Sequence, residues 1–330
     1  MLDKIGIIGE GSWGTALLKI LQLNGHHVNW LVRDNEMRDY IAQNYHNPNY
    51  SSDVEIDLKQ CSLFDSIHKL IADSQLIFLV LPSAYTEVVL KELTQAEVSS
   101  KYFISATKGI LPESNLTVTQ YLQNVLHISD QQLGFVSGPS HAEEIARERL
   151  TYLTIMSKNN ILAQEVAAML SNRFISTKVN SDMLGAEYAT ALKNVMAIAA
   201  GIAHGLGYGD NFIAVLVSNA LNEIERFLNI IVPYKRNIVD YVYLGDLLVT
   251  CYSQYSRNRT FGLMLGKGYS IKAAQLEMNM VAEGYFAVQS IIKIAKENNI
   301  EMPISQAVYH ILYERYSPSV EMRLLTDKLQ

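Results

Sequence analysis

The chain has 330 residues, enough for about two domains at ~150 residues each, and its 49% hydrophobic and 18% charged residues are those of a globular protein. A net charge of −6 argues against nucleic acid as the main partner, because a phosphate backbone calls for a basic face. A small phosphorylated ligand remains open, since it needs only two or three well-placed cations. Two cysteines, Cys61 and Cys251, are too few for a disulfide framework and too sparse for a zinc site.

The first residues, MLDKIGIIG, lack the basic region and long apolar stretch of a signal peptide. The most apolar helical stretch, residues 195–203, falls short of a membrane span and is bracketed by Lys193 and His204. The expected location is the reducing cytoplasm, with no membrane span.

Short apolar runs at residues 5–8, 28–32, 76–81, 103–106 and 135–137 alternate with helical patterns such as 15–23 and 85–93. That alternation predicts a doubly wound, mostly parallel α/β sheet of the Rossmann type. A further run at 151–156 is expected as an edge strand closing the sheet. From about Ser181 the rhythm turns helical, with predicted helices at 185–201, 211–230, 281–298 and 304–313, and Pro233, Pro303 and Pro318 at their boundaries. The expected organisation is a dinucleotide-binding domain over residues 1–180 and an all-α domain over 181–330.

Gly9-Glu10-Gly11-Ser12-Trp13-Gly14 follows the first strand and opens a helix, the setting a dinucleotide fingerprint requires. Gly9 permits the tight turn, Gly11 lets the pyrophosphate approach, and Gly14 lets helix and strand pack closely. The helix N-terminus then offers free N–H groups to the phosphates. At the end of the second strand, Arg33 could pair with a 2′-phosphate, whereas Asp34 could accept from ribose hydroxyls; Arg33 favours NADP or the use of both cofactors. A solvated surface ion pair is the bland alternative.

Open α/β sheets bind ligands at the carboxyl ends of their strands. Pro82-Ser83, Thr107-Lys108-Gly109 and Gly138-Pro139-Ser140 occupy those positions after three predicted strands. Ser140 also reads as the N-cap of a helix, with Glu143 three residues on completing a capping box. Lys108 could equally be a solvated loop lysine.

Lys193 lies in a weakly polar helical stretch, Ala191-Leu192-Lys193-Asn194-Val195. Snorkelling would keep its ammonium in water; burial would lower its pKa and make it a proton donor or acceptor, as alcohol oxidation by hydride transfer needs. Asp246, beside Gly245 and ahead of Thr250, could pair with such a lysine. Ser256-Arg257-Asn258 would suit a phosphate, with a planar fork of donors beside an amide. Serine-hydrolase elbows, zinc-protease helices, paired CxxC motifs and the P-loop lysine are all missing from the sequence, and the eight histidines have no metal-ligand spacing.

Together GEGSWGTAL at Gly9, ATKGI at Ala106, SGPSHAEEIA at Ser137, ALKNVMAIAAGIAHGLGYGDN at Ala191, LGDLLVTCYSQYSRNRTFG at Leu244, VAEGY at Val281 and EMPI at Glu301 resemble, in order, the bacterial-type NAD(P)-dependent glycerol-3-phosphate dehydrogenases. The resemblance implies reversible interconversion of dihydroxyacetone phosphate and sn-glycerol 3-phosphate for phospholipid synthesis, by a homodimer. It implies Lys193 as acid/base with Asp246 beside it. Lys108, Gly138, Ser140, Asn194, Asp246, Thr250, Ser256, Arg257 and Asn258 would line the substrate. The cofactor would meet Ser12, Trp13, Arg33, Lys108, Ala142, Arg257, Val281 and Glu283, with Pro82 beside it. The chain departs from the family pattern at Ser218-Asn219-Ala220, His204, Asp240-Tyr241-Val242-Tyr243 and Asn47-Pro48-Asn49-Tyr50. A reductase of another small carbonyl acid and a silent nucleotide-binding sensor are the competing readings.

Overall fold

A computed structural model describes residues 2–278 and 282–329. The chain divides into two compact units, Met1–Thr107 with Val118–Met183, and Lys108–Thr117 with Leu184–Gln330. The segment 108–117, which lies inside the first predicted domain by sequence, therefore packs with the helical residues.

The first unit is built on an eight-stranded sheet in the order β3-β2-β1-β4-β5-β6-β7-β8. Its strands are β1 (Ile5–Ile8), β2 (Val28–Leu31), β3 (Cys61–Phe64), β4 (Leu76–Leu79), β5 (Tyr102–Ser105), β6 (Leu133–Ser137), β7 (Thr151–Met156) and β8 (Ile175–Asn180). β1 and β4 are buried at every position, and the unbroken apolar runs IGII and LIFL are what a strand covered on both faces requires. β1 through β6 pair in parallel, β6 pairs antiparallel with β7, and β7 pairs in parallel with β8. So residues 151–156 do form a strand, but β8 and not β7 is the edge. The alternation Ser176, Lys178, Asn180 against Ile175, Thr177, Val179 is too weakly apolar to announce a strand. β3 carries an equally weak sequence signal: only Cys61 in it is buried.

Helices α1 (Ser12–Leu23), α2 (Asn35–Asn44), α3 (Ile67–Asp73), α4 (Ser83–Leu90), α5 (Gln95–Val98), α6 (Val118–Asn124), α7 (Ala142–Ala146) and α8 (Asn160–Leu170) accompany the strands. Crossovers of this kind give the Rossmann-type doubly wound arrangement. Ile7, Leu17, Trp30, Phe78 and Ile104 are fully buried in the core.

The second unit consists of α9 (Met183–Gly205), α10 (Asp210–Ile231), α11 (Asp246–Tyr252), α12 (Arg257–Gly266), α13 (Ile271–Glu277), α14 (Glu283–Glu297), α15 (Pro303–Tyr313) and α16 (Pro318–Thr326). Proline stands in the first turn of α15 and α16, where its missing N–H is no loss. α9 is the central element, with residues 191 to 203 buried at every position. Among the described residues no helix is long and apolar enough to cross a membrane.

Candidate active site

In the sheet unit, the turn from β1 into α1 carries the fingerprint. Gly9 sits at φ +131, a conformation L side chains rarely adopt, and a Cβ there would strike the Val80 carbonyl. A Cβ on Gly14 would strike the Gly9 carbonyl, whereas one on Gly11 would meet nothing within 4 Å. The turn thus closes tightly on itself and stays open outward at Gly11, beside the N-terminus of a twelve-residue helix. Ser12, buried, and Trp13, half-buried, begin that helix. Those features fit a dinucleotide pyrophosphate.

At the end of β2, Asp34 caps α2 by accepting from the Met37 amide at 2.9 Å. Arg33 donates to both carboxylate oxygens of Glu92, at 2.8 and 3.0 Å.

The other strand ends contribute Pro82, which stands as N-cap of α4, and Ala142, the buried first residue of α7. Ser140 is not the N-cap of that helix. His141 holds the N-cap position, and the Ser140 hydroxyl donates to the Gly138 carbonyl at 2.9 Å. The SxxE spacing misleads because the chain stays extended one residue further than the motif allows. Gly138 has φ +147, and a Cβ there would strike the Tyr152 carbonyl of β7, so backbone geometry already demands glycine.

The helical unit gathers the remaining candidates. Lys193 in α9 is 4% exposed and donates to the carboxylate of Asp246, itself 1% exposed, at the start of α11. The snorkelling alternative therefore fails. Burial is the largest influence on Lys193 and pulls its pKa down to about 7; Asp246 opposes the shift and the ammonium of Lys108 adds to it. Residues 241–245 form a π-helical turn leading into Asp246, with Val242 and Tyr243 buried as its anchors. Cys251, buried on the same helix, has its thiol pushed up to about 12 by burial, which makes it a poor nucleophile.

Several neighbours hold this arrangement. The Asn194 amide donates to the Lys108 carbonyl at 2.8 Å, and the Thr250 hydroxyl donates to the Asp246 carbonyl at 2.6 Å. Ser256 caps α12, accepting from the Arg259 amide at 3.3 Å. Asn258, 7% exposed, accepts from the Gly284 amide at 2.8 Å and so ties α12 to the first turn of α14, where Glu283 lies. Arg257 is exposed at the first position of α12. Val281 lies outside the described residues.

Three further features had little or no sequence signal. Asn47 is fully buried; its amide donates to the Glu10 carbonyl at 2.9 Å and to the Thr15 hydroxyl at 3.1 Å, while its oxygen accepts from the Asn49 and Tyr50 amides. It thus shapes the fingerprint turn from the loop that follows α2. Thr117 donates to the buried Glu187 of α9 at 2.8 Å, so the 108–117 segment is fastened to that helix at both ends, through Glu187 and Asn194. α9 and α12 also cross at backbone contact: Cβ atoms on Gly201 and Gly262 would strike the carbonyls of Arg259 and Ile198. The spacing Gly201-x₃-Gly205 against Gly262-x₃-Gly266 could have revealed that crossing.

Two protein-family models match the chain. One, described as NAD-dependent glycerol-3-phosphate dehydrogenase N-terminus, covers residues 4–163; its C-terminal counterpart covers residues 182–323. A glycerol-3-phosphate dehydrogenase (NAD(P)+) from Staphylococcus epidermidis is 34% identical over 328 residues, 99% of this chain and 98% of that protein. The protein of the same name from an Exiguobacterium species is 34% identical over 330 residues, 100% of this chain and 96% of its own. Among solved structures, glycerol-3-phosphate dehydrogenase from Coxiella burnetii superposes with a TM-score of 0.91 at 28% identity, covering 98% of both chains.

Proposed function

This chain belongs to the NAD-dependent glycerol-3-phosphate dehydrogenase family, and on that premise we propose that it interconverts dihydroxyacetone phosphate and sn-glycerol 3-phosphate with NAD(H) or NADP(H), supplying the backbone of glycerophospholipids. The observation that carries the reading is a buried lysine with a pKa near 7, paired with a buried aspartate, in a chain whose other unit presents a dinucleotide fingerprint.

The nicotinamide, when bound, gives or takes the hydride at the substrate carbon; the proton is the protein's task. In reduction Lys193 as ammonium donates its proton to the carbonyl oxygen that becomes the hydroxyl. In oxidation the neutral amine removes that proton. A pKa near the working pH makes either form accessible, which a reversible reaction needs. Asp246 orients the amine and stabilises its charged form.

We assign the cofactor to the sheet unit, through the turn at Gly9, Gly11 and Gly14 with Ser12 and Trp13, and the acid/base group to the helical unit. Arg257 offers a guanidinium fork to the substrate phosphate, beside the amide of Asn258. Lys108, whose charge reaches Lys193, supplies a second cation for the phosphorylated substrate. Asn194, Thr250 and Ser256 serve as positioning residues, since each is engaged with backbone. The family likeness supports a homodimer, which sedimentation velocity would test.

The decisive assay follows absorbance of reduced nicotinamide with purified protein and dihydroxyacetone phosphate. Substrate-dependent loss that disappears in Lys193→Ala, with cofactor affinity retained, supports the reading. Absence of turnover in folded, cofactor-binding protein overturns it.

A further inference from the structure

The end of β2 is where a Rossmann unit reads the adenosine ribose, and here one arginine is surrounded by carboxylates. Arg33 is held by Glu92 in a two-point fork, with both side chains a little over one-third exposed. Glu92 lies 59 residues further along the chain, two residues past α4. Glu10, half-buried inside the fingerprint itself, accepts from the backbone N–H of Arg33, and burial raises its pKa despite that bond. Asp34 caps α2 from the next position. The second cation nearby, Arg38, is occupied with the Val32 carbonyl at 3.1 Å and the Asn35 side chain at 2.8 Å.

Building on the cofactor site assigned above, we propose that Glu92 is a cofactor-selectivity residue: by engaging the Arg33 guanidinium it disfavours a 2′-phosphate and biases the enzyme towards NAD(H). The chemistry differs sharply between the two cofactors. A 2′-phosphate carries close to two negative charges and needs the donors of Arg33, so it must displace Glu92 and then lie near that carboxylate, Glu10 and Asp34. A 2′-hydroxyl is uncharged and needs an acceptor, which Asp34, twenty residues past Gly14, provides. The Arg33–Glu92 pair is partly exposed and therefore weak, so it grades the preference without barring NADP. An arginine at this position reads as an NADP signal in sequence, but the carboxylate that answers it comes from a different crossover.

Glu92→Gln keeps the side-chain shape and one acceptor while removing the charge. Titrating NADH and NADPH separately into wild type and variant, followed by intrinsic fluorescence, measures binding without turnover. The NADPH affinity should rise about tenfold and the NADH affinity stay within about twofold, a size set by one unit charge facing a doubly charged phosphate in a wet site. Arg33→Gln in the same background should erase the NADPH gain. An unchanged NADPH-to-NADH ratio in Glu92→Gln, or a gain that survives Arg33→Gln, overturns the proposal. Because binding is read directly, failure of dihydroxyacetone phosphate to turn over would count against the proposed reaction and leave this inference standing.

Discussion

Lys193 and Asp246, 53 residues apart in the chain, form a buried ion pair between the middle of α9 and the first residue of α11. The pair has opposing electrostatics. Desolvation drives the lysine towards its neutral form, and the carboxylate restrains that drift, so the amine titrates at about 7 and not above 10.

The first prediction is that the two reaction directions have opposite pH limbs. Reduction needs the ammonium, so its kcat/KM should fall as pH rises through about 7; oxidation needs the amine and should rise over the same interval. Initial rates measured in both directions between pH 5.5 and 9, on the order of half a unit per step, check this. Parallel limbs would sink the acid/base assignment of Lys193.

Stability should follow the same residue with a definite sign. Lys193 has a folded pKa below its unfolded value, so between about 7 and its ordinary value near 10.5 the unfolded chain binds more protons and stability gains with rising pH. Lys193→Met strands the Asp246 carboxylate in a dry interior and should destabilise by about 3–5 kcal/mol. The double variant Lys193→Met with Asp246→Leu should recover most of that loss while remaining inactive. Urea denaturation of the three proteins decides it; a double variant no more stable than the single would show the charges are not coupled.

Arg257→Ala should separate phosphate recognition from chemistry. Because the side chain is exposed and its charge screened by water, the loss in kcat/KM for dihydroxyacetone phosphate should be about 1 kcal/mol. Turnover of unphosphorylated dihydroxyacetone, slow as it will be, should change little. Equal losses with both substrates would place Arg257 elsewhere in the mechanism.

The α9–α12 crossing predicts a sharp intolerance. Gly262→Ala drives a methyl group into the Ile198 carbonyl, one helical turn beyond Lys193 and Asn194, and the helices must separate to accept it. Overpacking of this kind costs about 1–3 kcal/mol, and α12 carries Arg257 and Asn258 at its start. Both the thermal midpoint and the affinity for dihydroxyacetone phosphate should drop. Gly268→Ala, which meets no neighbour within 4 Å but sits at φ +94, is the control that loses stability without losing substrate affinity.

Much of this molecule is local and therefore written in order along the chain. The turn after β1, the alternation of apolar runs and helical segments, the change of rhythm near residue 181 and the prolines at helix starts all depend on neighbours a few residues away, and periodicity reports such things directly. The family motifs are legible for the same reason. Weak strands are less so: β3 and β8 are held by their partners' ladders more than by their own side chains, and the edge of the sheet moved to β8 because pairing is a property of two strands. Ser140 shows a motif present in letters and absent in conformation, since a cap depends on where the backbone turns helical.

What the sequence by itself determined is the kind of chemistry available: a dinucleotide turn, a lysine in an apolar helix, an arginine–asparagine pair suited to phosphate. Only the tertiary structure decided what each group faces. It buried Lys193 and brought Asp246 to it, fastened the 108–117 segment to α9 through Glu187 and Asn194, and set Glu92 against Arg33. A charge's behaviour depends on its solvent and its nearest opposite charge, and both are fixed by residues tens of positions away, which no local pattern encodes.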